Sequence, residues 1–338
     1  MQETTLLELR GICKFFPGVR ALDGVDFTLC KGEIHALMGE NGAGKSTLIK
    51  VLTGVYSKDE GTISMEGTPV QIRTTQDALK AGISTVYQEI TLCPNLTVAE
   101  NLFIGREPRK FGMIDWKQMN ERSGKLLESL DIHVPPTQML EECSIAIQQM
   151  IAIARAVDMK CRVLILDEPT SYLDIRHKLE LLAILRKMAK ENGITVIMSL
   201  HEIDLAQKIS DQVICVKGDR IAEFGDPEEI FTEATIRDLY EIDNGYYDPI
   251  FGSVELPKPE GEPEVLVLCS GKTGIPVYRK LQKAGIPFAA GILYPGESDY
   301  QLARLLASGI ISEEPYEPIS DETYQKALKI MEKCGKVI

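Results

Sequence analysis

A glycine-rich segment near the start of the chain has the composition of a phosphate-binding loop. The apolar run Ile34–Met38 leads into Gly39–Thr47, which fits the pattern G-x-x-x-x-G-K-[ST], and the apolar Leu48–Leu52 follows. A strand before this pattern and a helix after it suit phosphate binding, because backbone N–H groups and the helix N-terminus face the anion. We expect Lys45 to reach the β- and γ-phosphates and the Ser46 hydroxyl to bind Mg²⁺. The alternative is a glycine-rich turn with a chance lysine.

Two acids and a histidine follow later apolar runs. Asp167 and Glu168 end the run Val163–Leu166, and His201 ends the run Ile194–Leu200. The first acid suits water-mediated Mg²⁺ binding, and the second suits polarising an attacking water. The histidine would point into the crevice at the strand ends, although alone it could equally be a surface or core histidine. The phosphate loop alone is compatible with kinases, GTPases and ATPases. The acid pair and the histidine reduce the number of compatible protein classes.

Alternating apolar runs and helical patterns must position these residues. Short apolar runs broken by glycine fill residues 1–70, and residues 120–200 alternate continuous apolar runs with helical spacing. That alternation predicts a parallel sheet covered on both faces, in the α/β class. A closing hairpin is expected over 213–224.

A second α/β unit is predicted near the end of the chain. Residues 245–263 are rich in proline and glycine and have no long apolar run, which is typical of a linker. Three strand and three helix patterns then alternate over 265–334. We therefore expect a first domain over 1–242, a linker over 243–262 and a small α/β accessory domain over 263–338.

Composition excludes several classes of protein. The chain has 338 residues, 37 Lys and Arg against 50 Asp and Glu, and a net charge of −13, which opposes sequence-independent nucleic-acid binding. We expect no transmembrane segment, because no apolar run approaches about 18 residues, and no secretory signal at the start. The eight cysteines include no Cys-x-x-Cys, so we interpret them as buried thiols in a reducing cytosol.

Together these motifs resemble the nucleotide-binding subunit of an ATP-binding cassette (ABC) transporter, over about residues 5–240. The resemblance implies a P-loop fold with a mixed sheet core, an N-terminal antiparallel β-subdomain and a helical subdomain at about 89–157. It implies ATP and Mg²⁺ as ligands. It assigns adenine stacking to Phe16 and Mg²⁺ binding to Ser46, Gln88 and Asp167. It assigns catalysis to Glu168 as base, His201 as switch and Lys45, and a D-loop to Ser171, Leu173 and Asp174. The residues that it assigns to ATP contacts are Gly39, Glu40, Asn41, Gly42, Ala43, Gly44, Lys45, Ser46, Thr47 and Gln88.

The signature motif departs from the family pattern Leu-Ser-Gly-Gly-Gln. Cys143–Gln149 stands in its place, and we assign Ser144, Ala146 and Gln148 to contacts with the partner cassette's nucleotide. Ser144 can cap the following helix, whereas Ile147 cannot complete a capping box. A signature that no longer supports hydrolysis is the alternative.

The resemblance differs between the two halves. Residues 1–170 resemble the first cassette of ribose, galactose and galactofuranose importers, whereas residues from 171 onward resemble ATPases of iron-chelate or cobalamin importers. A recombinant or artificially joined chain would explain this difference. In the small domain, Cys269–Gly274 is either a tight turn or a weak anion site, because Leu266 replaces the upstream glycine of a phosphate loop.

The resemblance implies an ATPase that energises solute import from the cytoplasmic face of the membrane, as a peripheral subunit. Its partners would be membrane permease subunits, a second cassette in a homo- or heterodimer and, indirectly, an extracytoplasmic solute-binding protein, with no nucleic acid. Sugar import is the first expectation, and iron-siderophore or cobalamin import is the alternative. A non-transport cassette ATPase and a regulatory ATP-binding module without hydrolysis stay open.

Overall fold

The structure, a computed structural model, describes residues 4–87 and 91–338. The chain divides into two units, Met1–Ile230 and Phe231–Ile338. This division falls earlier than the boundary at residue 242 that the composition suggests.

Two sheets form most of the first unit. A four-stranded antiparallel sheet has the order β2-β1-β4-β5, and a six-stranded sheet has the order β12-β11-β3-β10-β9-β6. In the six-stranded sheet only the edge strand β12 is antiparallel to its neighbour. The strands are β1 (Thr5–Phe16), β2 (Val19–Cys30), β3 (Ile34–Met38), β4 (Glu60–Met65), β5 (Thr68–Val70), β6 (Ile83–Val86), β7 (Arg109–Lys110), β8 (Met113–Ile114), β9 (Val163–Leu166), β10 (Thr195–Ser199), β11 (Gln212–Lys217) and β12 (Arg220–Gly225).

Helices cover the six-stranded sheet and form a layer beside it. They are α1 (Lys45–Leu52), α2 (Thr75–Lys80), α3 (Val98–Phe103), α4 (Trp116–Ser129), α5 (Ile145–Asp158), α6 (Ile175–Asn192), α7 (Ile203–Ile209) and α8 (Pro227–Ile230). Strands β3, β9 and β10 are buried along their whole length, as expected for a sheet covered on both faces. The α/β class predicted from the alternating pattern is confirmed, and so is the mixed sheet core that the family resemblance implies.

Polar side chains fix where the helices of this unit begin. Thr97 and Glu100 form a capping box at α3, and Ser144 and Asp174 accept hydrogen bonds from the third backbone N–H of α5 and α6. Helix α6 ends at Gly193, whose φ of 65° is the left-handed conformation that favours glycine. These caps place the starts of α5 and α6, where two predicted motifs lie.

The second unit contains a small parallel sheet of order β17-β16-β15-β18. Helices α10 and α11 pack on one face of it and α12 on the other. The strand and helix pattern predicted over 265–334 is found here. The elements of this unit are α9 (Glu233–Leu239), β13 (Tyr246–Asp248), β14 (Ser253–Glu255), β15 (Val265–Val267), α10 (Gly274–Lys283), β16 (Phe288–Leu293), α11 (Ser298–Leu306), β17 (Gly309–Ser312), α12 (Asp321–Lys333) and β18 (Lys336–Val337).

The segment 243–262, which the composition suggests as a linker, contains the antiparallel pair β13 and β14. Tyr247, Asp248 and Glu255 of this pair are buried. Apolar burial by one aromatic side chain therefore orders a segment whose proline and glycine content is typical of loops. Throughout the described part of the chain, no helix is both long enough and apolar enough to cross a bilayer.

Candidate nucleotide site

The loop between β3 and α1 has a backbone that only glycine can adopt at two positions. Gly39 has a φ of 141°, and a Cβ there would lie 2.2 Å from the carbonyl oxygen of Val216. Gly44 has a φ of 89°, and a Cβ there would lie 2.8 Å from the carbonyl oxygen of Ala21. Backbone atoms of neighbouring strands therefore lie too close to the loop for a side chain at either position, which explains why both residues are glycine.

Lys45 begins α1 and turns its side chain into this loop. Its Nζ donates hydrogen bonds of 2.7 Å to the carbonyl oxygens of both Gly39 and Glu40, and the residue is buried. Burial lowers the pKa of Lys45, and the charges of Glu168, Asp167 and Glu40 offset part of that shift. The ammonium group thus lies within the loop and close to the acid pair.

Other predicted loop residues remain open to solvent. Glu40, Asn41 and Ser46 are exposed, whereas Ala43 is buried beneath the loop. The hydroxyl of Ser46 is therefore accessible on the same loop that holds the Lys45 ammonium.

Ser199 positions both acids of the predicted pair. Its Oγ donates a 2.9 Å hydrogen bond to Asp167 Oδ1 and accepts a 2.7 Å bond from the backbone N–H of Glu168. Ser199 is buried at the end of β10, which pairs with β9 in parallel register. The sequence reasoning missed this residue. Its position one strand across from the acids and two residues before His201 is the signal that could have found it.

Glu168 and His201 contact each other directly. His201 Nε2 lies 2.8 Å from Glu168 Oε1, and Ser171 Oγ donates a 3.1 Å hydrogen bond to Oε2. Burial opposes ionisation of Glu168, but hydrogen bonds from His201 and Ser171 and the charges of His201 and Lys45 outweigh it and lower its pKa. The backbone of Glu168 has a φ of 49°, which is uncommon for a side chain other than glycine and typical of functional sites. The site therefore holds an ionised carboxylate.

The predicted D-loop lies between these residues and α6. Leu173 is buried, and Asp174 caps α6 through the backbone N–H of His177 at 2.9 Å. This backbone hydrogen bond, together with a hydrogen bond from the side chain of His177, lowers the pKa of Asp174. The structure thus brings the phosphate loop, the acid pair, the D-loop and His201 to the carboxyl ends of β3, β9 and β10.

Phe16 lies at the end of β1 and packs edge-on against Tyr56, with ring centroids 5.2 Å apart. Lys14 Nζ lies 5.5 Å from the Phe16 ring centroid. The Phe16 ring is half-buried, which leaves part of it accessible for stacking. Tyr56 was not predicted to support this aromatic, since 40 residues separate the two in sequence.

The predicted signature residues lie at the start of α5. Ser144 caps the helix through a 3.4 Å bond from the backbone N–H of Ile147, as expected. Ala146 is buried, so its methyl group packs inside the unit. Gln148 Nε2 donates to the carbonyl oxygens of Cys143 at 3.0 Å and Leu140 at 3.4 Å, so this amide is bound to its own chain.

A groove of about 330 Å³ lies beside the segment that precedes Gln88. Gln88 itself, with the start of the predicted helical subdomain at residue 89, lies outside the described residues. The groove is lined mainly by side chains of α2, β6 and α5, with Tyr87, Ile104 and Arg106 at its border.

The Cys269–Gly274 turn of the second unit does not offer a phosphate site. The buried carboxylate of Asp299 accepts hydrogen bonds from the backbone N–H groups of Lys272 at 2.6 Å, Gly274 at 3.0 Å and Ile275 at 3.1 Å. These are the donors that a phosphate at the start of α10 would need. Of the two interpretations of this sequence, the tight turn agrees with the structure.

Comparison with known proteins agrees with the fold of the first unit. A family model described as ABC transporter matches residues 22–171. The structure of cbiO1 from Clostridium perfringens, part of the ABC transporter complex cbiONQ, aligns over 70% of this chain and 94% of its own with a TM-score of 0.61 and 28% identity. The first unit therefore has the fold of an ATP-binding cassette. The ADP conformation of MJ1267, also an ATP-binding cassette, has a TM-score of 0.63 over 70% of this chain and 98% of its own; at 24% identity it supports the fold alone.

Three curated relatives are named as ATP-binding proteins of sugar transport. The ribose import ATP-binding protein RbsA 1 of Rubrobacter xylanophilus is 49% identical over 64% of this chain, and the galactofuranose transporter ATP-binding protein YtfR of Escherichia coli K12 is 48% identical over the same share. Each match covers only 43% of the relative, so the chain spans less than half of their length. The fructose import ATP-binding protein FruK of Bifidobacterium longum is 42% identical over 89% of this chain and 59% of its own.

The match to FruK extends beyond the first 170 residues, so sugar-type similarity is not confined to the N-terminal half. The predicted resemblance of the second half to iron-chelate or cobalamin importer ATPases stays a prediction. A second family model, named MJ0874 family, matches residues 288–338 within the second unit.

Proposed function

We propose that the chain is the ATP-binding and ATP-hydrolysing subunit of an ABC importer, and that the imported solute is a monosaccharide. The observation that supports hydrolysis best is the environment of the Glu168 carboxylate. His201 and Ser171 contact this carboxylate, and the charge of Lys45 stabilises its ionised form. Sugar import is supported by the names of the ribose, galactofuranose and fructose relatives.

The residues of the site divide the chemistry between them. Lys45 and the N–H groups of the phosphate loop bind the phosphates of ATP, and Phe16 stacks on the adenine ring. Glu168 accepts a proton from the attacking water, as an ionised carboxylate can. His201 contacts Oε1 of that carboxylate, and its imidazole ring would also contact the γ-phosphate. Ser199 keeps the acid pair in place.

The donor set also fits Mg²⁺, which prefers hard oxygen ligands. Ser46 presents an exposed hydroxyl, and Asp167 uses only Oδ1 for Ser199 among the bonds described. These two residues, with Gln88, would hold the ion. When bound there, Mg²⁺ would offset the negative charge of the phosphates.

The partners in this proposal are a second cassette, membrane permease subunits and, through them, a solute-binding protein. Ser144 at the start of α5 would meet the second cassette's nucleotide. The 330 Å³ groove next to Tyr87 would receive a permease segment, and Arg155, which lines it, suits a segment with an acidic residue. In this proposal the subunit lies at the cytoplasmic face of the membrane.

Permease-stimulated ATPase activity tests the proposal. The full chain is reconstituted with a monosaccharide permease and, separately, with an iron-chelate permease, and ATPase rates are compared with and without the matching solute-binding protein. Stimulation by the sugar permease alone is expected. Stimulation only by the iron-chelate permease would contradict the solute assignment and leave the importer assignment intact. ATP binding without hydrolysis under either condition would instead favour the regulatory module.

A further inference from the structure

The carboxyl edge of the parallel sheet in the second unit forms an open cleft. Loops follow β16 and β17 at this edge, and ligands of open α/β sheets bind at the carboxyl ends of the strands. The cleft has a volume of about 770 Å³. Its lining consists of Tyr294, Pro295, Gly296, Glu297, Pro315, Tyr316, Glu317 and Pro318.

The two loops that form the cleft are held together and stiffened. Tyr294 Oη donates a 3.4 Å hydrogen bond to the carbonyl oxygen of Glu317, which joins the loop after β16 to the loop after β17. Prolines at 295, 315 and 318 restrict the backbone on both sides. Glu313 accepts hydrogen bonds from the backbone and side chain of Ser320, which closes the base of the second loop. The cleft is therefore largely formed before any ligand binds.

The lining has a distinct chemistry of aromatic faces and carboxylates. Tyr316 is fully exposed, and Tyr294 is partly exposed. Glu297 and Glu317 supply negative charge, and none of the eight lining residues is basic. The nearby N-terminus of α10 cannot attract an anion either, because Asp299 already occupies its donors.

Glu297 also has an unused hydrogen-bond acceptor. Its Oε2 is buried and has no hydrogen-bond partner within the described residues. A buried carboxylate oxygen without a donor is unfavourable, so a positive charge close to this carboxylate would offset part of the cost. This observation is independent of the aromatic lining and indicates the same sign of charge.

We propose that this cleft binds a small organic cation with an ammonium head group, held between Tyr294 and Tyr316 and neutralised by Glu297. Aromatic faces attract such cations through the negative face of the ring, and a carboxylate adds a direct charge interaction. The absence of basic groups from the lining disfavours nucleotides, phosphates and organic acids. This site lies wholly within the second unit and does not depend on the proposed transport function.

Calorimetric titration of the full chain with choline tests the proposal. The matched probe is 3,3-dimethylbutan-1-ol, which has the same shape without the charge. Choline is expected to bind saturably, and the neutral alcohol to bind at least about tenfold more weakly, which is the effect of a cation–aromatic contact worth roughly 1.4 kcal/mol. Titrations without ATP keep the result separate from that of any hydrolysis assay.

Two variants and one control locate the binding site. Tyr316→Ala and Glu297→Gln should each weaken choline binding about tenfold. Because Tyr316 is fully exposed, its substitution leaves the fold intact. Tyr324→Ala, at an exposed tyrosine on α12 outside the cleft, should leave the affinity unchanged. Equal affinity for the neutral alcohol, unchanged binding by Tyr316→Ala, or no choline binding with a Kd below about 10 mM would overturn the proposal.

Discussion

His201 Nε2 lies 2.8 Å from Oε1 of Glu168, although the two residues end different strands of the sheet. The contact exists because β9 and β10 are adjacent and parallel, so their carboxyl ends meet at one edge. The protonation state of Glu168 therefore depends on the residues that contact its carboxylate, His201 among them. The pH dependence of hydrolysis therefore reports on this pair.

Removing the imidazole should move the acid limb of the pH–rate profile. Burial raises the pKa of Glu168, whereas His201 lowers it. In His201→Ala the opposing contribution is lost, so the pKa of Glu168 rises and activity falls at a higher pH than in the wild-type chain. His201→Gln keeps a hydrogen-bond donor without the charge and should shift the limb less. Profiles of ATPase rate against pH measure both, and unchanged limbs would show that His201 does not control Glu168.

Ser199→Ala should impair catalysis without blocking nucleotide binding. The substitution removes the donor to Asp167 and leaves the Glu168 N–H without its acceptor, at a cost of about 1–3 kcal/mol in unfolding free energy. We expect kcat to fall about tenfold or more while KM changes little, since the acids lose their alignment. Ser199→Thr keeps the hydroxyl and should recover most of the activity. Chemical unfolding together with steady-state kinetics decides, and failure of Ser199→Thr to recover kcat would argue against a positioning role.

Two loop glycines should respond differently to alanine. Gly42 has a φ of 89° and open space where a Cβ would lie, so Gly42→Ala should cost about 1–2 kcal/mol of backbone strain. At Gly39 the same methyl group would meet the Val216 carbonyl at 2.2 Å, so Gly39→Ala should displace the loop and abolish ATP binding. Thermal melting with and without ATP compares the two variants. Similar ATP-induced stabilisation of both would contradict the close approach at Gly39.

The signature assignment predicts a charge effect at the start of α5. In Ser144→Glu a carboxylate would face the partner cassette's γ-phosphate, and the like charges should prevent ATP-dependent dimerisation. Ser144→Ala is the comparison variant, because it loses the hydroxyl, and with it the nucleotide contact and a helix cap worth about 1 kcal/mol, but adds no charge. Size-exclusion chromatography in ATP, with hydrolysis blocked by Glu168→Gln, measures the dimer. A dimer formed by the glutamate variant would place the signature elsewhere.

Local patterns predicted much of the fold and the site. The phosphate loop, the acid pair and the cap at Ser144 depend on residues that are close in sequence, so their spacing was informative. Ser199 acts on Asp167 from 32 residues away, and Asp299 binds Lys272 from 27 residues away. Such pairs form only when strands or loops become neighbours in the folded sheet, so no local sequence pattern predicts them.

The pair β13 and β14 was missed for another reason. Its residues lie in a stretch of prolines and glycines that is typical of a linker, and only tertiary burial of Tyr247 and Asp248 orders it. Composition measures the average preference of a segment, whereas one buried aromatic side chain can outweigh that preference.

The most direct test of the account is the ATPase rate of Glu168→Gln. The amide has nearly the same shape as the carboxylate but cannot accept the proton of the attacking water. We expect ATP affinity to be retained and steady-state turnover to fall about 10²–10⁴-fold, the usual contribution of a positioned general base. Glu180→Gln removes an exposed carboxylate that pairs with Arg176 and should leave turnover unchanged. Near-normal turnover in Glu168→Gln would contradict the assignment of Glu168 as the base.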